Sequence, residues 1–443
     1  MRILLSIFLT ISITVLSIGQ KQLTLDEAIS IALQRNTLLE KGKNNISTYE
    51  AGVKTAWGNF LPSLNASGGF GWTRSEETGT TRNLGGFVID IPASVSESRS
   101  YDARINSSIT LFDGLANFAT LDKSRNDLES ARLQLERLKQ SVVFQTIALY
   151  YDVINNQQLL KVKEENVKWN QKNLETVTER NKLGAVTLAD VYAQQVQSGN
   201  AELELIRTSN QLENAKSTLL DYLGLDVFEN YIFADVPAKI GVDDIEDSDA
   251  LPMLVNSALN NRYDYQSAQL DLKSANKNVT IAQSGHFPSL TGSLGFSTYA
   301  NNFNNLFQNK NYSAGLTLNI PIFNGFNVSE RVEFAEVGAM NKKVELTELE
   351  RTIKTNLQKT YLDLQAAEKG LEVSERNVKA AVENRKIEAE KYSLGSGTLL
   401  NVLIANSEYT IAQTNFINAR YAFETLKEQL KFYIGVLDYK KYE

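Results

Sequence analysis

The chain lacks several residue types and motifs, and each absence excludes a class of structure or chemistry. Its 443 residues include no cysteine, which excludes disulfides, thiolate metal sites and a lipidated N-terminal cysteine. His286 is the only histidine, and it stands beside Pro288 without a nucleophile motif, so we expect a structural role for it. No GxSxG, HExxH or phosphate-binding loop occurs. The sequence therefore predicts a protein that is not an enzyme and that holds no cofactor and no metal ion.

Long apolar runs are confined to the N-terminus. Residues 1–19 combine the basic Arg2 with an apolar run and small residues at its end, which predicts a secretory signal peptide; a membrane anchor is the alternative. No later segment approaches 18 apolar residues, so we expect no transmembrane helix after it. With 45 basic and 52 acidic residues the chain is mildly acidic, which argues against nucleic acid as a partner.

The most informative pattern that is present is an internal repeat. LFDG at 111–114 returns as IFNG at 322–325, 211 positions later, and LPSL at 61–64 returns as FPSL at 287–290, 226 positions later. A fixed offset over more than a hundred residues indicates two copies of one structural unit, the first with 15 additional residues. The acidic run between the copies predicts a solvated linker rather than a cation site. The predicted segments are a signal peptide (1–19), a first repeat (20–235), an acidic linker (236–250) and a second repeat (251–443).

After an opening amphipathic helix that ends before Pro62 or Pro288, each copy changes to a period of two. Four strands of about ten residues are predicted, each with an apolar face and a face of hydroxyls and amides. We interpret them as outer-membrane strands with apolar groups toward lipid; a soluble hairpin over a core is the alternative. The insertion near Arg74 to Ser100 is interpreted as a large external loop. The residues expected to anchor the strands at the membrane borders are Pro62, Trp72, Tyr101, Pro288, Tyr312 and Pro321.

Four strands leave two open edges, and an open edge in lipid leaves backbone groups without hydrogen bonds. The chain must therefore oligomerise if it inserts, and two or three chains are the smallest solutions. After the strands, helices of about 70 residues are predicted over 113–182 and 324–393, each about 105 Å long, with apolar residues every seven. Leu-Gly steps end these helices, and return helices follow with Thr187 and Thr398 as N-caps.

The whole pattern resembles the TolC-type outer-membrane efflux protein family. The resemblance rests on the duplicated LPSL/FPSL and LFDG/IPIFNG motifs, on YSLGSGTLLNVL at 392–403 and on NARYAF at 418–423. It implies an all-α fold with membrane β: a homotrimer with a 12-stranded β-barrel and an α-helical periplasmic tunnel. It also implies a location in the outer membrane of a Gram-negative bacterium, in contact with outer-membrane lipid. The implied function is an efflux duct for small molecules or proteins, and the implied partners are a periplasmic adaptor (membrane fusion protein) and an inner-membrane pump.

The resemblance also implies two sets of site residues at the helical tips. The adaptor is expected to dock on Leu183, Gly184, Ala185, Leu394, Gly395 and Ser396. The gate residues are expected to be Asp190, Tyr392, Asn401 and Ile404. Asp190 and Tyr392 match positions of polar links in the family, whereas Asn401 and Ile404 stand where a well-studied member has constriction aspartates. We therefore expect an apolar, amide-lined gate that closes by dewetting.

A second hypothesis from another functional class is a secreted coiled-coil scaffold or adhesin without channel activity. The sustained heptads suit such a rod. The four two-faced strands argue against it, because a rod has no use for strands of membrane length.

Overall fold

The computed structural model describes residues 21–235 and 250–442. The predicted signal peptide and all but the last residue of the predicted acidic linker lie outside these ranges. The chain divides into two compact units, and each is described by itself. Within the described residues, unit 1 comprises 21–41, 137–235, 250–262 and 353–442, and unit 2 comprises Gly42–Glu136 and Tyr263–Thr352.

The first repeat contains four helices and six strands. Its elements are β1 (Lys21–Leu23), α1 (Leu25–Arg35), α2 (Thr37–Gly58), β2 (Ser63–Glu77), β3 (Thr80–Leu84), β4 (Phe87–Ile91), β5 (Ser94–Phe112), α3 (Ala116–Lys182), α4 (Leu188–Leu223) and β6 (Tyr231–Phe233). The second repeat follows the same order with fewer strands. Its elements are α5 (Ala250–Asn261), α6 (Tyr263–Gln283), β7 (Ser289–Ala300), β8 (Lys310–Asn319), α7 (Asn327–Ser393) and α8 (Leu399–Ile434).

Unit 2 contains an antiparallel sheet in which the strands follow the order β2-β5-β7-β8. The two hairpins share one internal register, because Ser63 pairs with Ser108 in the first repeat and the equivalent Ser289 pairs with Asn319 in the second. The expected length of about ten residues is correct for β8, but β2 has 15 residues and β5 has 19. The strands of the first repeat are longer because each continues into the insertion, where it still finds its hairpin partner.

The insertion, which the sequence analysis interprets as a large external loop, contains regular structure. It forms a second ladder, β3 with β4, which keeps the register of the β2–β5 hairpin. Gly85 and Gly86 make the turn with φ angles of 62° and 98°, a conformation that favours glycine. Residues 78–79 and 92–93 interrupt the ladder, and Pro92 lacks the N–H that a ladder bond requires. The outer end of the first repeat is therefore one long hairpin.

The long helices have the predicted C-terminal ends but begin three residues later than predicted. Each contains 67 residues. A pair of residues with positive φ precedes each helix: Gly114 and Leu115 in the first repeat, Gly325 and Phe326 in the second. These left-handed conformations cannot belong to a right-handed helix, so the helix starts after them.

The opening helix of each repeat is broken, which the sequence did not predict. In unit 1, the break falls at Asn36, whose Nδ2 donates to the carbonyl of Tyr222 at 3.2 Å and whose Oδ1 accepts from the N–H of Leu38 at 3.0 Å. At the equivalent break, Nη1 of Arg262 donates to the carbonyl of Tyr433 at 3.0 Å. Both side chains are buried, so the two repeats tie the break to the end of their return helix with different chemistry.

A short parallel pair of strands, β1 with β6, lies in the core of unit 1 and was also not predicted. The fully buried Tyr150 of α3 fixes the pair, because its hydroxyl donates to the carbonyl of Ala234 at 2.7 Å and lies 2.9 Å from that of Leu23. Burial raises the pKa of Tyr150. The hydroxyl is therefore a permanent donor at physiological pH.

Candidate functional site

The four-stranded sheet has two chemically different faces. One face carries large apolar side chains that are mostly exposed, such as Leu64 (74 %), Phe70 (63 %) and Leu316 (72 %). The side chains that alternate with them are hydroxyls, amides and glycines, including the Asn65–Asn106 cross-strand pair. In a soluble hairpin the apolar face would cover a core. Its exposure in unit 2 favours contact with lipid instead.

Aromatic residues mark the outer limit of the apolar face. Phe70 and Tyr101 have ring centroids 5.0 Å apart, and Tyr101 lies 5.6 Å from Phe303. Trp72 and Tyr101 were expected at strand ends, but both lie inside strands that continue beyond them. They lie where the sheet narrows, because Tyr101 pairs with Ala300, the last residue of β7.

Beyond this aromatic layer the same face becomes charged. Arg74 lies 2.7 Å from a carboxylate oxygen of Glu76 and 3.5 Å from one of Glu97. A change from apolar to aromatic to charged side chains along one strand face is typical of the border between membrane and water. The polar face also carries an ion pair, at and just inside the level of the aromatic layer, with Nε of Arg104 3.3 Å from Asp102.

The remaining strand anchors lie at strand borders. Pro62 and Pro288 directly precede β2 and β7, and Pro321 follows the end of β8. Tyr312 lies near the start of β8 and its ring is 5.3 Å from that of Phe296. Their role in the membrane stays a prediction.

The two helical tips in unit 1 expose a leucine each. Leu183 is 83 % exposed and Leu394 is 82 % exposed. Gly184 and Gly395 follow them with φ angles of 71° and 74°, which confirms the predicted left-handed caps. The next N–H groups, of Ala185 and Ser396, donate back to the final helical turn at 2.9 Å. The backbone of each turn is therefore satisfied locally, and neither leucine packs within its own chain.

The return helices begin at the predicted caps, but with unequal bonding. Thr187 accepts from the N–H of Asp190, and the Asp190 carboxylate accepts from the N–H (2.9 Å) and hydroxyl (2.7 Å) of Thr187. Thr398 accepts from the N–H of Asn401 at 3.3 Å, without the reciprocal carboxylate bond. The Asp190 carboxylate thus serves a capping box within its own turn.

Tyr392, expected in a polar link, lies instead in an apolar cluster. It is 9 % exposed and packs in a cluster with Val177, Leu399 and Val402. Its buried hydroxyl has no hydrogen-bond partner among the described residues, so a single chain does not join it to Asp190. The polar contact to this residue involves its backbone.

Arg180 makes that contact, which the sequence analysis did not predict. Its Nη1 donates to the carbonyl of Tyr392 at 3.1 Å, its Nη2 donates to the carbonyl of Ser393 at 3.2 Å, and its guanidinium lies 4.6 Å from the Tyr392 ring centroid. One cation from the first repeat therefore caps the last turn of α7 in the second repeat. A basic residue three positions before Leu183 was the available signal, but its partner lies 212 positions away.

Asn401 and Ile404 lie on the exposed side of α8. The hydrogen bond from Lys391 lowers the pKa of Glu388, and a further bond from the Asn401 side chain acts in the same direction. The turn thus carries an exposed amide and an exposed isoleucine. A role of this pair in gating is still a prediction.

Within residues 21–235 and 250–442, no group of three or more His, Asp and Glu residues is arranged to hold a metal ion. In the same part of the chain, no helix is long and apolar enough to cross a membrane.

Comparison with known proteins decides the family. The model of the family described as outer membrane efflux protein matches residues 28–225 and 254–436. The chain belongs to this family. It is 23 % identical over 417 residues to the outer membrane protein TolC of Vibrio cholerae, which covers 93 % of this chain and 88 % of that protein. Protein CyaE of Bordetella pertussis is 25 % identical over 399 residues, covering 89 % of this chain and 80 % of CyaE.

Solved structures of membrane proteins share the fold. The outer membrane channel CmeC of Campylobacter jejuni superposes with a TM-score of 0.80 at 17 % identity, covering 94 % of this chain and 88 % of CmeC. A membrane protein from Pseudomonas aeruginosa superposes with a TM-score of 0.81 at 17 % identity, covering 94 % of this chain and 91 % of that protein. The predicted fold class, helical with membrane β-strands, is confirmed.

The family also confirms the predicted location and general function. As an outer membrane efflux protein, the chain is an efflux channel in the outer membrane of a Gram-negative bacterium, with a helical part in the periplasm. Channels of this TolC type are trimers that work with adaptor proteins and inner-membrane pumps.

Proposed function

We propose that three copies of this chain assemble into one duct, with their sheets joined in a 12-stranded barrel and their helices in a periplasmic tunnel. The sheet carries this proposal, because it combines an exposed apolar face, a polar face and two edges without partner strands among the described residues. Lipid covers the apolar face, and the hydroxyls and amides line the lumen. Small molecules or proteins are the cargo class.

The adaptor docks on the helical tips. Leu183 and Leu394 support this, because an apolar side chain that is more than four-fifths exposed gains free energy when a partner covers it. The neighbouring Gly184, Ala185, Gly395 and Ser396 present a turn whose N–H groups are already satisfied, so docking costs little backbone desolvation. An inner-membrane pump completes the pathway.

The gate lies at the start of α8. Asn401 and Ile404 supply an amide and an apolar surface to the lumen, and the chain has no carboxylate at either position. Arg180 holds the tips of the two repeats side by side within each chain, with Tyr392 beneath its guanidinium. Asp190 stabilises the adjacent turn. Closure by dewetting needs no bound cation.

The protein catalyses no reaction and binds no cofactor. The solute moves along a preformed lumen, and energy for transport enters through the pump. The competing function, a secreted scaffold or adhesin, would leave the apolar face of the sheet exposed to water, which is unfavourable for a stable soluble rod.

Reconstitution in planar bilayers tests the duct. The purified full chain should run as a heat-modifiable trimer from outer-membrane fractions and should give discrete ion conductance. A soluble, non-conducting periplasmic product would contradict the proposal and favour the scaffold.

Two charge substitutions test the adaptor site. Leu183→Glu combined with Leu394→Glu should abolish adaptor-dependent efflux while trimer yield and bilayer conductance stay unchanged. Phe228→Glu is the control, because Phe228 is 91 % exposed but follows the opposite end of α4. Normal efflux in the double variant would exclude the tips as the docking site.

Cation block tests the gate. Divalent or hexammine cations should block the wild-type channel only weakly, because the expected constriction lacks carboxylates. Asn401→Asp combined with Ile404→Asp should make these cations block the channel tightly. Leu400→Asp, at the neighbouring position, should give weaker cation block. Tight block of the wild type would contradict an amide-lined gate.

A further inference from the structure

Two strand edges of the sheet are unpaired in a single chain. Among the described strands, β2 pairs only with β5, and β8 pairs only with β7. Both edges carry backbone N–H and C=O groups at the level of the apolar face. In lipid an unsatisfied backbone group is strongly unfavourable, so both edges require a partner strand of matching length.

The internal repeat supplies the geometry of that partner. The hairpins β2–β5 and β7–β8 are equivalent at offsets of 226 positions for the first strand and 211 for the second, and their internal registers agree at these offsets. The β5–β7 ladder therefore joins the second strand of one repeat to the first strand of the next. A closed ring needs the same junction again, between β8 of one chain and β2 of its neighbour.

We propose that this intermolecular junction copies the register of the β5–β7 ladder. Ser108 pairs with Ser293 within the chain, and the equivalent pair is Asn319 with Ser67 of the next chain. At the other end, Asp102 pairs with Tyr299, and the equivalent pair is Ser313 with Thr73 of the next chain. The partner is a second copy of this chain, and the register rests on the trimer proposed above.

The faces of the two edges agree in this register. Leu316 lies opposite Phe70, and both belong to the apolar face. A shift by one residue would turn every apolar side chain of one strand toward the polar lumen, so it is excluded by the cost of burying polar groups in lipid. A shift by two residues keeps the faces and must be distinguished by packing.

Side-chain size and charge favour the copied register over a shift by two. The register places the bulky Trp72 opposite the small Ala314, and Leu318 opposite Gly68. At the outer rim it places Lys310, the first residue of β8, opposite Glu76. Opposite charges on neighbouring strands stabilise a sheet, and large side chains facing small ones fill the space between elements without voids.

The end of the junction near Pro321 is also consistent with the copied register. The β5–β7 ladder has an irregularity between Thr110 and Phe112, and the equivalent positions are Pro321 and Phe323. Pro321 lacks a backbone N–H, so it fits beside a bulge rather than inside a regular ladder. The proline therefore falls at the last regular pair, directly before the point where the copied register interrupts the ladder.

Cysteine pairs test the register directly, because the natural chain contains no cysteine. Ser67→Cys combined with Asn319→Cys should form disulfides between chains on oxidation and give covalent dimers and trimers on denaturing gels. The two-residue shifts are represented by Ser67→Cys with Thr317→Cys in one direction and by Thr73→Cys with Gly315→Cys in the other. These pairs should cross-link at least about 10-fold less, since diagonal Cα atoms at about 7–8 Å exceed the usual disulfide range.

Further pairs keep the outcome decisive. Ser108→Cys with Ser293→Cys is the positive control, because these residues pair within the chain and face the same side. Thr73→Cys with Ser313→Cys repeats the test at the outer end if the first variant fails to fold. Stronger cross-linking in a shifted pair, or none in either in-register pair while the positive control reacts, overturns the register. Absence of unoxidised trimers by native mass measurement would instead contradict the proposed duct.

Discussion

The two long helices are equal in length and unequal in surroundings. α3 and α7 each contain 67 residues, yet most large apolar side chains of α3 are covered, whereas α7 exposes a stripe of them. Phe334 is 69 % exposed and Val337 is 48 % exposed. At the equivalent positions of α3 stand the polar Lys123 and Asn126.

This difference shows how a duplicated sequence serves an assembly. At these positions the first repeat carries half-buried polar side chains, of which Lys123 forms an ion pair with Asp127, whereas the second repeat carries exposed apolar ones. An exposed apolar stripe on a long helix is typical of a surface that another helix covers. In the proposed trimer the neighbouring chain covers α7, so the second repeat carries the intermolecular contacts of this segment.

The largest expected effect concerns the buried side of the return helices, in which the two repeats are alike. Leu219 and Leu430 occupy equivalent positions in the return helices and are both buried almost completely. Each Leu→Ala variant should lose about 2–5 kcal/mol of unfolding free energy, because a cavity remains. Denaturant unfolding of the helical signal in detergent measures the loss. Leu203→Ala, at a position that is 53 % exposed, is the control. Clearly unequal losses would show that the two cores are not equivalent.

The second-largest effect concerns the exposed apolar stripe of α7, in which the two repeats differ. Phe334→Lys gives the second repeat the residue type of the first at Lys123, and it should weaken trimer association by about 1.5–3 kcal/mol per chain, the value of burying one such side chain. Native mass measurement over a dilution series in detergent reports it. Lys343→Glu, on an exposed position of the same helix, changes the charge without removing an apolar side chain. Unchanged association of Phe334→Lys would mean that no neighbour covers the stripe.

Sequence patterns predicted the features that local chemistry determines. The long helices end at Leu-Gly steps because glycine tolerates the left-handed cap, and the four main strands follow from alternation. The β3–β4 hairpin was missed, although Gly85-Gly86 between two short runs was a recognisable turn signal. The breaks at Asn36 and Arg262 were not predictable, because the Asn36 bond joins residues 186 positions apart.

In the candidate site, too, local features were predictable from the sequence and tertiary contacts were not. The exposure of Leu183 and Leu394 follows from their place at a tip, and Thr187 and Thr398 are recognisable caps. The Arg180 contact depends on which helix end lies beside it. That depends on tertiary packing, which periodicity does not determine.

The helix breaks provide a third test of the comparison. Asn36→Ala removes one donor and one acceptor of a buried side chain, and it should cost about 1–3 kcal/mol, partly because the Tyr222 carbonyl loses its partner. Arg262→Met should cost more, since a charged donor forms the stronger bond. Asn36→Asp keeps the acceptor for the N–H of Leu38 but removes the donor to the Tyr222 carbonyl, so it measures the two hydrogen bonds separately. Thermal unfolding ranks the three variants. A smaller loss for Arg262→Met than for Asn36→Ala would contradict the charged bond as the stronger one.

The smallest effect concerns the caps of the return helices. Thr187→Ala breaks a reciprocal box in the first repeat, whereas Thr398→Ala breaks a single bond in the second. We expect a loss of about 1 kcal/mol for the first and about 0.5 kcal/mol for the second. Hydrogen exchange of the N–H groups of Asp190 and Asn401 measures the stability of each turn by itself. Thr187→Ser is the control: it keeps the hydroxyl, so the Asp190 N–H should exchange at the wild-type rate. Equal protection losses would show that the Asp190 carboxylate adds nothing to its cap. A larger loss in the first repeat would show that the tips differ in rigidity, with the more easily opened turn beside Asn401, where the gate is proposed.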